Sequence, residues 1–71
     1  MVGFSCDNDK AFKNALSFLH KEKDVSTVGD IINAFKSEFN GYVFLDNNWD
    51  WECYMFANDR DATMFIMRFS S

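Results

Sequence analysis

Seventy-one residues with 18 % aromatic side chains and a formal net charge of −4 exclude several classes at once. The length leaves room for a single domain, residues 1–71, and the aromatic density excludes a disordered chain. Eleven acids against seven bases argue against direct nucleic-acid binding, which needs a basic stripe, and no apolar run reaches the roughly 18 residues of a membrane span.

Val2, Phe4 and Cys6 alternate with Gly3 and Ser5, the period of a short first strand. Asp7, Asn8 and Asp9 offer N-cap candidates and negative charge for a first helical turn. Phe12, Ala15, Leu16 and Leu19 recur at i, i+3, i+4 and i+7, so the spacing predicts a helix over 8–20, with Lys21 and Lys23 at its negative end. Ser26 or Thr27 opens a second helix, and Thr27 to Asp30 has the spacing of a capping box. Val28, Ile31, Ile32, Phe35 and Phe39 form its apolar stripe, and Asn40-Gly41 ends it, with Gly41 expected in the left-handed position.

Residues 42–45 read as a strand and Asp46-Asn47-Asn48 as a turn. A returning strand begins at Trp49 or Asp50 and ends near Ala57. Alternation puts Trp51, Cys53 and Met55 on an apolar face, and Glu52, Tyr54 and Phe56 on a half-aromatic one. The tail fits two periods. Thr63, Phe65, Met67 and Phe69 share a face in a strand; Ala62, Phe65, Ile66 and Phe69 share one in a helix. Asn58 or Asp59 as a cap, with Asp61 in the first turn, tips the reading towards helix.

The expected fold is α+β: a short N-terminal strand, two helices, an antiparallel hairpin and a C-terminal helix or further strand, with the helices on one sheet face. Its core is expected to hold Phe4, Phe12, Leu16, Leu19, Ile31, Ile32, Phe35, Val43, Leu45, Met55, Phe65 and Phe69. Cys6 and Cys53 lack a CxxC partner and read as reduced core thiols of a cytoplasmic protein; a bridge between them requires the first strand to lie beside the hairpin.

Catalytic chemistry is thinly supplied. His20 is the one histidine, and beside Lys21 and Lys23 it reads as a solvated helix-end residue. No cofactor is expected. No metal is expected either, because turn and cap preferences account for most of Asp46, Asp50, Glu52, Asp59 and Asp61. The segment DNNWDWE is the feature most suited to binding. From Asp46 to Asp61, five acids face one base, Arg60. Trp49 and Trp51 either belong to the core or present an indole, a ring favoured at interface hot spots. Period 2 buries both or neither unless a bulge intervenes. The expected partner-binding residues are Trp49, Asp50, Glu52, Tyr54 and Asp59, facing a protein partner with a basic surface; a homodimer through an aromatic sheet face and a nucleic-acid mimic are the alternatives.

The closing segment FANDRDATMFIMRF, with Phe56, Asp61, Ala62, Phe65 and Phe69, resembles the ending of small accessory proteins of tailed bacteriophages. Met67 stands where that ending usually has Leu, and no Gly follows Phe69. The resemblance implies a strand running into a short helix. It also implies a host-cytoplasmic setting and a class rich in inhibitors that bind and block host or defence proteins.

Overall fold

The computed structural model describes residues 1–70. Strand β1 (Val2–Ser5) leads into helices α1 (Lys10–Glu22) and α2 (Val28–Phe39). The hairpin β2 (Gly41–Leu45) and β3 (Trp51–Phe56) follows, and helix α3 (Asp59–Phe69) closes the chain. The fold is therefore a small α+β one, and the tail is a helix rather than a fourth strand.

The sheet order is β1-β3-β2, with β3 antiparallel to both neighbours, so β1 and β2 run parallel on either side of it. One sheet face carries the helices. Val43, Tyr54 and Phe56 on that face are buried, and each helix adds at least one ring against Tyr54 or its neighbours. Phe12 from α1 stacks on Tyr54 at 5.3 Å between centroids, Phe35 from α2 meets it edge-on at 5.9 Å, and Phe65 from α3 lies 5.2 Å away. Through Tyr54, every phenylalanine but Phe44 joins one continuous ring cluster. Such contacts contribute about 0.5–1.5 kcal/mol per pair beyond the area they bury, which suits a chain too short for a deep aliphatic core.

Three caps set the helix starts. The Asp9 side chain accepts from the Phe12 amide at 2.9 Å, Thr27 from Asp30 at 3.2 Å and Asn58 from Asp61 at 2.9 Å. Helix α1 consequently begins after Asp9, at Lys10, and runs on to Glu22 rather than His20. Its first turn holds no acid, since Asp7 and Asn8 lie before the cap and Asn8 itself takes a left-handed φ of 56°.

The end of α2 differs from the expectation of a left-handed Gly41. Asn40 takes that position, with φ 56°, while Gly41 is the first residue of β2. The reason is steric. A Cβ on Gly41 would come 2.6 Å from a Phe35 ring carbon and 2.7 Å from a Phe56 ring carbon, both in fully buried side chains. Glycine is therefore used for close packing, and Asn, which tolerates the left-handed region, turns the chain. The Asn40 side-chain Nδ2 also donates to the Asp61 carboxylate at 2.8 Å, joining the end of α2 to the start of α3.

The two faces of β3 are the reverse of the alternation read from its sequence. Tyr54 and Phe56 are fully buried under the helices, whereas Cys53 and Met55 are half-buried on the uncovered face. A register shift between Phe44 and Leu45 leaves Glu52 without a β2 partner: Phe44 pairs with Cys53, and Leu45 with Trp51. That bulge returns Trp51 to the helix side, where its ring meets Phe12 at 6.0 Å. Met55 consequently leaves the expected core, Phe4, Leu16 and Leu45 are only half-buried, and Ile32 is 36 % exposed. Cys6 is buried, as its strand position suggests, and Ala11, Ala15, Phe39, Tyr54, Phe56 and Ala62 are buried in addition to the expected core.

Candidate binding site at the hairpin tip

Residues 46–50 form a tight loop that local chemistry dictates. The Asp46 amide donates to the Asp50 carbonyl at 2.8 Å, and the Trp49 amide to the Asp46 carbonyl at 3.2 Å. The Asp46 carboxylate accepts from the amides of Asn48 at 2.8 Å and Asp50 at 3.0 Å. An acidic side chain thus takes two amides that the turn would otherwise leave to water.

Trp49 occupies the position that closes such a loop, with a left-handed φ of 64°. Glycine or asparagine is favoured there, and a bulky L-residue costs about 1–2 kcal/mol. Its side chain gains little in return, being 76 % exposed. Trp51, two residues on, is half-buried against Phe12. The bulge at Glu52 and the turned backbone at Trp49 therefore separate the two tryptophans into one displayed ring and one packed ring.

Of the other expected contacts, Asp50 and Glu52 are exposed beside the tip. Tyr54 is not available to a partner: it is fully buried, and its hydroxyl donates to the Asp9 carboxylate at 3.0 Å. Asp59 is exposed but opens α3, beyond the far end of β3, which carries the chain roughly 20 Å from the tip over its six residues. The acids of residues 46–61 are thus divided between two ends of the sheet, with Asp46, Asp50 and Glu52 at one and Asp59 and Asp61 at the other.

Pairing of β1 with β3 brings further residues to the tip. The Cys6 amide donates to the Glu52 carbonyl at 3.0 Å, placing the start of α1 beside the hairpin loop. Between them is an open depression of about 600 Å³. Cys6, Phe12, Leu16 and Trp51 form its apolar floor, and Asp7, Asp46, Asp50 and Glu52 stand around it with Lys13 the one base. Sequence reading treats Asp7 only as a cap candidate and Phe12 only as core. Nothing local places them at the tip, because the juxtaposition depends on β1 pairing across some fifty intervening residues.

His20 does not stand beside the Cys6 thiol. Cys6 is buried and Cys53 half-buried on the opposite sheet face, both free. Desolvation pushes the Cys6 thiol up from 9.0 to about 12, with electrostatic repulsion from the nearby Cys53 and Asp9 adding to it. His20 is exposed in the last turn of α1, roughly 15 Å along the helix from the end at which Cys6 lies. Among the described residues, no group of three or more His, Cys, Asp or Glu side chains is arranged to hold a metal ion.

Burial, then the hydrogen bond to Asp9, raises Tyr54 above its usual 10.0. Both folded-state values lie above the unfolded ones, so their contribution is complete below about pH 9. Above it the unfolded chain releases protons that the folded chain retains. Stability is expected to fall as pH rises towards about 12, by up to about 1.4 kcal/mol per pH unit for each group. Urea midpoints followed from neutral to alkaline pH test this, and Cys6→Ala should flatten the onset.

Comparison with family models, with curated proteins and with solved structures finds no match. Among the described residues, no helix is long and apolar enough to cross a membrane.

Proposed function

We propose that the chain is a small non-enzymatic binding protein that occupies a basic site on another protein, with Trp49 as its anchor and Asp50 and Glu52 as flanking charges. The observation that carries the reading is the state of Trp49, 76 % exposed on a left-handed backbone that favours glycine. Strain of this kind persists where something other than local stability maintains it. An exposed indole buries a large area with few rotors to immobilise, and the acids beside it steer a cationic surface into contact. The separation of His20 from both thiols supports a role without nucleophilic catalysis. The likeness of residues 56–69 to phage accessory proteins supports the inhibitory form of the proposal, in which the partner is a host or defence protein blocked by occlusion.

Trp49→Gly tests the reading because it separates folding from binding. Relief of the left-handed strain is expected to leave the variant as stable as the parent or about 1 kcal/mol more stable. Capture of a basic partner from bacterial lysate, quantified by mass spectrometry, should nevertheless drop by about 30-fold, the loss expected of a hot-spot ring worth about 2 kcal/mol. Equal capture by parent and variant would sink the proposal.

The uncovered sheet face supports a second reading, self-association. Gly3, Ser5, Tyr42, Phe44, Cys53 and Met55 share it, and Phe44 is 44 % exposed, with the Lys36 ammonium donating to the Tyr42 hydroxyl at 3.0 Å. Three short strands, however, span a face of roughly 300 Å², against about 800 Å² per partner in a stable interface. The nucleic-acid mimic ranks lower still, since the carboxylates are divided between the ends of β3 instead of forming one row.

A further inference from the structure

We propose that the depression between the start of α1 and the hairpin tip is a socket for one arginine side chain of the partner. The inference rests on the binding-protein reading and adds the chemistry of the second contact. Its floor is apolar, made by Phe12 and Cys6 beneath the half-buried Leu16 and Trp51. Its surround is anionic: Asp7, Asp46, Asp50 and Glu52 against Lys13 leave a local charge of 1 − 4 = −3. None of these carboxylates is paired with a cation of the described residues within 4.0 Å. Among the described residues the one ion pair within 4.0 Å joins Lys23 to Glu38, elsewhere on the surface.

An apolar floor within an anionic surround selects an amphipathic cation. The methylene stem of an arginine covers the Phe12 and Leu16 side, and its planar head stacks on the indole while offering paired donors to carboxylates. Lysine has the stem and the charge but neither the plane nor the fork, and its ammonium is more strongly hydrated. A metal ion requires convergent ligands, and these acids surround the depression without converging. The molecule already uses the same pairing internally: the Arg68 guanidinium lies 4.6 Å from the Phe18 ring centroid and 5.0 Å from that of Phe69.

Titration of the isotopically labelled protein with three blocked tripeptides tests the socket. The peptides are Gly-Arg-Gly, its citrulline analogue, which keeps the shape without the charge, and Gly-Lys-Gly. The arginine peptide should give saturable shifts at the Trp51 indole N–H and the amides of Asp7 and Phe12, with a Kd on the order of 1 mM. Asp50→Asn with Glu52→Gln should weaken it about tenfold while the rest of the spectrum keeps its native dispersion, and added salt should weaken it further. Trp49→Gly should leave the tripeptide response unchanged, so loss of the anchor and loss of the socket give different results. Absence of saturable shifts at Trp51, or an equal response to the citrulline or lysine peptide, would overturn the inference even where Trp49-dependent capture of a protein stands.

Discussion

Phe35→Ala is expected to remove about half of the protein's stability. Phe35 is fully buried and lies within 6.2 Å, centroid to centroid, of five other rings: Phe12, Phe39, Tyr54, Phe56 and Phe65. Those rings come from α1, α2, β3 and α3, so one side chain joins most of the secondary structure. Truncation of a buried Phe typically costs about 3–5 kcal/mol, from lost burial and from a cavity that neighbours fill only partly. A domain of this length has roughly 4–10 kcal/mol in total. The cavity is hard to collapse here, because Gly41 already brings the β2 backbone against the Phe35 ring as closely as a missing Cβ permits. Urea unfolding followed by Trp51 fluorescence measures the loss. Phe44→Ala, on the uncovered face, is the control and should cost less than about 1 kcal/mol. Comparable losses for the two would mean that the ring cluster is not the main source of stability.

The cluster also shows which parts of the molecule are legible in the sequence. Local signals serve well: Ser26-Thr27 and Asn58-Asp59 are recognisable as cap sites from their neighbours alone, the structure uses Thr27 and Asn58, and a cap at Asn58 or Asp59 is sufficient to favour a helix over a strand for residues 59–69. The tip was legible for the same reason, since Asp46-Asn47-Asn48 encodes its own turn. Long-range geometry was not legible. The bulge at Glu52 resets the alternation of β3: period 2 puts Trp51, Cys53 and Met55 on one face, whereas the structure turns Trp51 towards the helices with Tyr54 and Phe56 and leaves Cys53 and Met55 on the uncovered side. Tyr54 looked like a surface aromatic because the acceptor for its hydroxyl is 45 residues away, at Asp9. Gly41 looked like a helix stop because the two rings that require its missing side chain come from α2 and β3. Of the expected contacts, Asp50 and Glu52 do adjoin Trp49, whereas Asp59 is separated from them by the whole length of β3, a distance that only the extended strand makes evident.

Asp9→Ala should destabilise the protein by about 2–4 kcal/mol, a large effect for a half-buried polar residue next to a loop. Its two carboxylate oxygens have separate tasks: Oδ1 accepts from the Phe12 amide at 2.9 Å, and Oδ2 from the Tyr54 hydroxyl at 3.0 Å. One oxygen therefore starts α1, and the other fastens that start to the central strand. Loss of an N-cap costs about 1 kcal/mol, and a buried hydroxyl left without its acceptor about 1–3 kcal/mol. Tyr54→Phe removes the hydroxyl instead, leaves the cap intact and lets Asp9 remain hydrated, so it should cost no more than about 1.5 kcal/mol. The sign of the second step in a double-mutant cycle is decisive. In the Asp9→Ala background Tyr54→Phe should be neutral or stabilising, because it eliminates an orphaned polar group, while in the parent it is destabilising. If the two substitutions add without coupling, the cap alone explains the cost of Asp9→Ala, and the contact between α1 and β3 rests on ring packing with no help from the hydroxyl.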